Sequence, residues 1–261
     1  FKKKNLKLPN FFASLGRIIM NKTAIIIPSR LNAQRLPNKP LKLINNKEMI
    51  LHVYDAAKNS NAGEVYVATP DQKIIDKVNN YGGNAILTAK NHQTGTDRVF
   101  EVFKKTLNEI PEIIVNLQGD MPNIKPESIK YLVDYMLQGK CEIATLASTL
   151  LSDEAYDINV VKVYTKKKIE KLSFTVVSDF DRKITTGHND FAYHHIGIYG
   201  FTKEALIKYV NLKRSKLELE KNLEQMRAFE NNMKINVGFV DTKPLSVDTE
   251  EDLKNIKELM K

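Results

Sequence analysis

The apolar residues of the N-terminal half fall into short runs separated by stretches with helical spacing. Thr23–Pro28 (Thr-Ala-Ile-Ile-Ile-Pro), Glu64–Thr69, 85–88 and Ile113–Leu117 are rich in β-branched residues and predict buried strands. Between them, 49–58 has helical periodicity. The stretch 71–81 turns Ile74, Ile75 and Val78 inward and stops at Gly82-Gly83, 96–107 puts Val99, Phe103 and Leu107 on one face, and 126–138 opens with a proline. Strands alternating with helices of about ten residues predict βαβ units, a mostly parallel sheet and helices on both of its faces.

The pattern changes in the second half. Strand-like runs at 142–150, 160–165, 169–174 and 193–201 follow one another without long helices, which predicts a smaller antiparallel β subdomain, a strand-rich insertion at roughly 141–201. A single helix is predicted over 216–230, with Leu219, Leu223, Met226 and Glu230 along one side. A strand at 235–240 and a final helix at 249–260 complete the α/β reading.

Composition changes this picture little. With 42% hydrophobic and 27% charged residues, the chain reads as an ordinary globular protein. The formal charge of +9 raises the possibility of nucleic-acid binding. Lys2, Lys3, Lys4, Lys7 and Arg17 supply about half of it, and the remainder forms no basic stripe. No nucleic-acid partner is therefore expected. Cys141 is the only cysteine, so neither an internal disulfide nor a cysteine zinc cluster can form, consistent with a cytoplasmic enzyme. No stretch approaches the ~20 apolar residues of a membrane span. Residues 1–20 read as an extension before a start at Met20, outside a fold that occupies 21–261, with a targeting segment as the alternative.

Five segments carry candidate chemistry. The loop at 28–41 follows the first strand, at the edge where open α/β sheets bind ligands. It carries Arg30, Arg35 and Lys39 but no glycine-rich phosphate loop, so it would grip phosphates with side-chain cations and backbone N–H groups; a solvated basic loop is the plain alternative. Asn116-Leu117-Gln118-Gly119-Asp120 projects Asp120 from a strand end, where a hard cation takes oxygen ligands. Ser246-Val247-Asp248-Thr249 offers a second carboxylate in Asp248, although Thr249 with Asp252 is also a good helix cap. His92 to Arg98 opens a helix and presents Arg98 to an acidic ligand. In Tyr193 to Tyr199, strand alternation puts His195, Gly197 and Tyr199 on one face and His194 on the other.

Taken in order, Ile-Ile-Pro-Ser-Arg (26–30), Arg-Leu-Pro-Asn-Lys-Pro-Leu (35–41), Gln-Thr-Gly-Thr-Asp-Arg (93–98), Val-Asn-Leu-Gln-Gly-Asp (115–120), His-His-Ile-Gly-Ile-Tyr-Gly (194–200), Leu-Glu-Gln-Met-Arg (223–227) and Ser-Val-Asp-Thr-Glu-Glu-Asp-Leu (246–253) resemble the 3-deoxy-manno-octulosonate (Kdo) cytidylyltransferase family. The resemblance implies a Rossmann-like nucleotide-diphospho-sugar transferase fold and a homodimer. It implies transfer of CMP from CTP to Kdo, with release of pyrophosphate, for lipopolysaccharide biosynthesis. It places Ser29, Arg30 and Lys39 at the nucleotide, and Asp120 and Asp248 on Mg²⁺, with Arg30, Lys39, Asp120 and Asp248 as the catalytic set. Arg98, Gln118, His195, Tyr199, Glu224 and Gln225 would contact the sugar. One departure stands out: where the family has an arginine after Tyr-Phe-Ser, this chain has Val176, and the next arginine is Arg182. That leaves two alternatives open, a cytidylyltransferase for another acidic sugar and a catalytically silent CTP-binding homologue.

Overall fold

The computed structural model describes residues 22–32, 34–184 and 190–261. The 1–20 extension lies outside them. Its frame is a nine-stranded sheet built from β1 (Thr23–Pro28), β4 (Glu64–Thr69), β5 (Ala85–Leu87), β6 (Ile113–Leu117), β7 (Ile143–Ser148), β8 (Lys162–Thr165), β9 (Phe174–Asp181), β10 (Phe191–Thr202) and β11 (Ile235–Phe239). Two-residue strands β2 (Leu43–Ile44) and β3 (Lys47–Glu48) form a separate hairpin. The order is β5-β4-β1-β6-β10-β7-β11-β9-β8, and β8 also returns to pair with the start of β10.

β5, β4, β1 and β6 are parallel. β10 runs antiparallel between β6 and β7, and the strands beyond it are mixed. The antiparallel part therefore continues the parallel sheet edge to edge.

Alternation along β1 shows why both faces are covered. Ile25 and Ile27 pack with α1 (Met49–Asn59), α2 (Gln72–Asn80) and α4 (Pro126–Met136). Ala24 and Ile26 pack with α3 (Gly95–Lys105), α5 (Lys203–Val210) and α7 (Met226–Glu230). A third, smaller cluster joins Leu36 of the loop after β1 to Val247, Leu253 and Ile256 around α8 (Glu250–Leu259). It anchors the loop after β1 against the C-terminal segment.

Three expectations need correction. The helix at 216–230 is two pieces, α6 (Lys216–Lys221) and α7, broken at Asn222 in the left-handed conformation (φ 50°). Leu219 accordingly faces solvent, at 57% exposure, instead of joining an apolar stripe. The strand at 169–174 begins only at Phe174, because the chain turns at Leu172 (φ 57°) and Ser173 N–H bonds back to the Glu170 carbonyl. Helix α5 was not anticipated. β10 runs into it with no intervening loop, and Thr202 serves as both strand end and N-cap.

Candidate active site

The loop after β1 is folded back on itself. Ser29 N–H bonds to the Ala68 carbonyl of β4, and the Asp71 carboxylate accepts the Leu31 N–H at 2.8 Å. Asn38, in the left-handed region, donates its N–H to the Leu31 carbonyl and starts a 3-10 turn at Lys39–Leu41. The turn returns Lys39 to the sheet edge while Arg30 stays exposed.

At the end of β6 the chain passes close under this loop. A Cβ on Gly119 would stand 3.3 Å from the Pro28 carbonyl oxygen, so glycine allows the approach. The Asp120 carbonyl then accepts the Val247 N–H, which brings Asp248 beside Asp120. Lys39 Nζ donates to Asp120 Oδ2 at 3.0 Å and to Asp248 Oδ1 at 2.8 Å, and Arg35 reaches Asp248 Oδ2 at 2.9 Å. Burial works against the Lys39 charge, but the two carboxylates outweigh it and hold its pKa above normal. Asp248 is also desolvated, yet Lys39 and Arg35 keep its pKa below normal. Thr249 and Asp252 do form a reciprocal capping box. The segment therefore caps α8 and presents Asp248 one residue earlier.

These residues line a polar cavity of about 730 Å³ that includes Ser29, Arg30, Arg35, Lys39, Asp120 and Asp248. Arg98 opens into this cavity and not the neighbouring one. It is buried against the Thr88 hydroxyl and the Ala89 carbonyl. Burial and then Arg30 lower its pKa. Thr94 and Asp97 form the capping box that starts α3.

A second cavity, of about 300 Å³, lies across Gln118, Asp120 and Asn222, which line both. His195, Gly197 and Tyr199 face it together from β10, while His194 turns to the other side, 3.2 Å from Glu154. Burial depresses the His195 pKa to about 3, and its Nε2 lies 3.0 Å from the Thr145 hydroxyl on β7. Glu224 and Gln225 enter from the break between α6 and α7. Burial raises the Glu224 pKa, and its carboxylate accepts the Thr96 N–H at 3.2 Å. The Ser29 hydroxyl in the larger cavity is buried without a hydrogen-bond partner, which suits a group that meets a ligand.

Among the described residues no three acidic, histidine or cysteine side chains gather around a point that could hold a metal. Two carboxylates sharing one ammonium still suit a hard cation that takes its other oxygens from phosphate and water. Val176 lies outside both cavities. It sits on β9 opposite Asn236, about half exposed (51%). Arg182, just beyond β9, does line the smaller cavity. Sequence reasoning missed Thr145, Asn222 and the Arg35–Asp248 contact. Strand periodicity brings out the first no more than any other buried threonine, and the other two depend on tertiary placement.

A cation-lined polar cavity and a smaller, more buried one, joined at a carboxylate, give this site room for two polar ligands. A sequence model of the cytidylyltransferase family matches residues 24–235. The chain is 42% identical to a 3-deoxy-manno-octulosonate cytidylyltransferase of Thermodesulfovibrio yellowstonii over 88% of this chain and 95% of that one. It is 40% identical to one from Bartonella quintana, over 92% and 98%. A solved structure of CMP:2-keto-3-deoxy-manno-octonic acid synthetase complexed with CTP superposes with a TM-score of 0.83 at 34% identity, covering 92% of this chain and 98% of that one. The chain belongs to the 3-deoxy-manno-octulosonate cytidylyltransferase family. No helix among the described residues is long and apolar enough to cross a membrane.

Proposed function

We propose that this enzyme transfers CMP from CTP to Kdo, releasing pyrophosphate and supplying an activated sugar for lipopolysaccharide assembly. The observation that carries this reading is the junction: a cation-lined cavity and a hydroxyl-reading cavity meet at Asp120 and Gln118. The triphosphate fits the side with Ser29, Arg30 and Lys39, and the acceptor fits the side with His195, Tyr199, Glu224 and Gln225. The reacting phosphorus would then lie where the two meet, so the residues act by aligning two polyanions. Arg30 and Lys39 offset the charge that develops as pyrophosphate leaves. His195 is held neutral, so its imidazole orients a sugar hydroxyl and does not add a charge.

Asp120 and Asp248 would hold Mg²⁺. A divalent cation held there would supply charge neutralisation to phosphate oxygens. Lys39, which sits between the two carboxylates, is placed to meet the phosphates. A cytoplasmic setting accords with the lone free Cys141 and with the use of CTP. A homodimer accords with the exposed apolar residues Leu151, Tyr156, Ile158 and Leu172 of the strand-rich half.

The test is pyrophosphate release from each nucleoside triphosphate with a panel of acidic sugars. CTP with Kdo and Mg²⁺ is expected to dominate. A stronger response to another sugar acid would reassign the acceptor. CTP binding without turnover of any sugar would point to a silent homologue, against which the retained Arg30, Lys39, Asp120 and Asp248 argue.

A further inference from the structure

Arg98 is the most deeply buried cation among the described residues that line the larger cavity, at 3% exposure. Its guanidinium meets neutral oxygens. Nη1 donates to the Thr88 hydroxyl and, at 2.9 Å, to the Ala89 carbonyl, and no carboxylate pairs with it among the described residues. A guanidinium carries five N–H donors in a rigid fork, so these bonds orient the group and leave donors for a ligand. What fixes residues 88 and 89 therefore fixes Arg98.

Thr88 continues the sheet edge, with its N–H on the Thr69 carbonyl at 2.9 Å. Beyond it the chain leaves β5, and Ala89, Lys90 and Asn91 are exposed, so little packing sets their path. Glu101 on α3 ties this stretch down. Its Oε2 accepts the Ala89 N–H at 2.9 Å and lies 2.5 Å from His92 Nε2, and its Oε1 accepts the Lys105 ammonium at 3.0 Å. Burial opposes the Glu101 charge, but His92, the Ala89 N–H and Lys105 hold its pKa at about 2. An ionised carboxylate only accepts, so the proton shared with His92 sits on the imidazole. We propose that Glu101 is a positioning residue for the nucleotide: by clamping Ala89 and His92 to α3 it sets the Ala89 carbonyl and, through it, the Arg98 guanidinium.

The layout of α3 supports this role. Arg98 and Glu101 stand at neighbouring positions on one face of the helix, in an i, i+3 relation. Ala89 gives its carbonyl to the first and its N–H to the second, so the helix holds this residue from both sides. Glu101 lines neither cavity, whereas His92 and Arg98 both line the larger one. Its effect on a ligand therefore passes through other side chains. The Lys105 contact is of another kind. That side chain is 73% exposed, and an i, i+4 surface pair is worth little.

The inference rests on the larger cavity taking CTP, and calorimetric CTP binding by the full chain with Mg²⁺ and no sugar tests that separately. No binding by the unsubstituted chain would sink the functional reading, and this inference with it. Given binding, Glu101→Leu is expected to weaken CTP by about tenfold, on the order of one charge-assisted hydrogen bond, and to raise the KM for CTP with kcat within about twofold. Glu101→Gln should stay within about threefold, since a carboxamide oxygen in the place of Oε2 accepts both donors. Lys105→Met, which removes only the exposed contact, should leave CTP binding unchanged; a loss as large as that of Glu101→Leu would overturn the proposal. The decisive comparison uses Arg98→Met as background. Adding Glu101→Leu there should cost less than about twofold, because the group through which Glu101 acts is already gone. An undiminished penalty in that background would show that Glu101 acts by another route and would overturn the proposal, as would an unchanged CTP affinity in Glu101→Leu. If the leucine variant does not fold, Glu101→Met fills the same space with a more adaptable chain and carries the same comparison.

Discussion

The two cavities that meet at Asp120 are built in opposite ways. The larger one comes from loops at the ends of adjacent parallel strands, β1 and β6, and Arg30 and Arg35 in it are exposed while Arg98 is buried. The smaller one is assembled from β7, β10, the turn after β9 and the break at Asn222, and burial favours the neutral forms of His195, Tyr199 and Glu224. On the proposed reading, the polyanion would be met by side-chain cations and the sugar by buried donors and acceptors. If this contrast is right, damage on the two sides should give different symptoms, and damage at the junction should give both.

The junction gives the largest effect. Asp120→Asn keeps the shape of the side chain and the backbone bond to Val247, but it removes the charge that would bind the metal. A loss of about a thousandfold in turnover is expected, with an unchanged far-ultraviolet circular dichroism spectrum. Pyrophosphate release within tenfold of the unsubstituted enzyme would move the chemistry away from the junction.

Next in size is a lesion that reaches only the smaller cavity. Glu218 and Arg227 form a buried pair, with the guanidinium donating from Nε and Nη2 at 2.8 Å to each carboxylate oxygen, and Arg227 lies over the Tyr209 ring. The pair joins α6 to α7 across the break that carries Glu224 and Gln225. Glu218→Gln leaves the buried guanidinium with the more distant Asp97, at 3.7 Å, as counter-charge and is expected to cost about 3 kcal/mol in urea denaturation, whereas a combined Glu218→Leu/Arg227→Met change should cost much less. At temperatures where the single variant is still folded, CTP binding should persist while sugar affinity falls. Parallel loss of both would mean that the cavities are not independent.

The contrast also explains what could be read from the sequence. β1, β4 and β6 lie where continuous β-branched runs place them, and the loop and Asp120 follow from strand ends. The smaller cavity was legible only as single residues. Asn222 is a residue that readily ends a helix in the left-handed conformation, but Leu219, Leu223 and Met226 keep helical spacing through it and mask that signal. The left-handed turn is imposed by the tertiary Glu218–Arg227 pairing and by Tyr209, whose hydroxyl donates to the Glu224 carbonyl at 2.8 Å. Leu172 misled in the same way, as an apolar residue that sits at a turn with 78% exposure. α5 was hidden because Thr202 ends a strand and caps a helix at once.

A smaller effect is expected from acid. The native His195 pKa is about 3 against an ordinary 6.5, so between these values the unfolded chain binds a proton that the folded chain does not. Stability contributed by this group is therefore full above pH 6.5 and falls as the pH drops toward 3. The slope approaches about 1.4 kcal/mol per pH unit. Denaturation of the unsubstituted enzyme and His195→Gln at pH 7, 6 and 5 isolates the term. The glutamine variant should show the shallower decline, and superimposable profiles would mean that the smaller cavity does not hold the imidazole neutral.

The smallest expected effect is the most discriminating between sequence and structure. By alignment of motifs, Val176 occupies the place of an expected substrate arginine, which suggests that Val176→Arg would restore a missing contact and lower the KM for Kdo. The structure puts that side chain on β9, half in solvent and outside both cavities, while Arg182 already stands in the smaller one. Val176→Arg should therefore leave the KM for Kdo within about twofold and change stability by no more than about 0.5 kcal/mol, as for an ordinary surface substitution. A clear fall in KM would show that β9 carries the acceptor carboxylate after all. It would also mean that the cation of this cavity comes from a strand, as His195 and Tyr199 do, and not from the turn that carries Arg182.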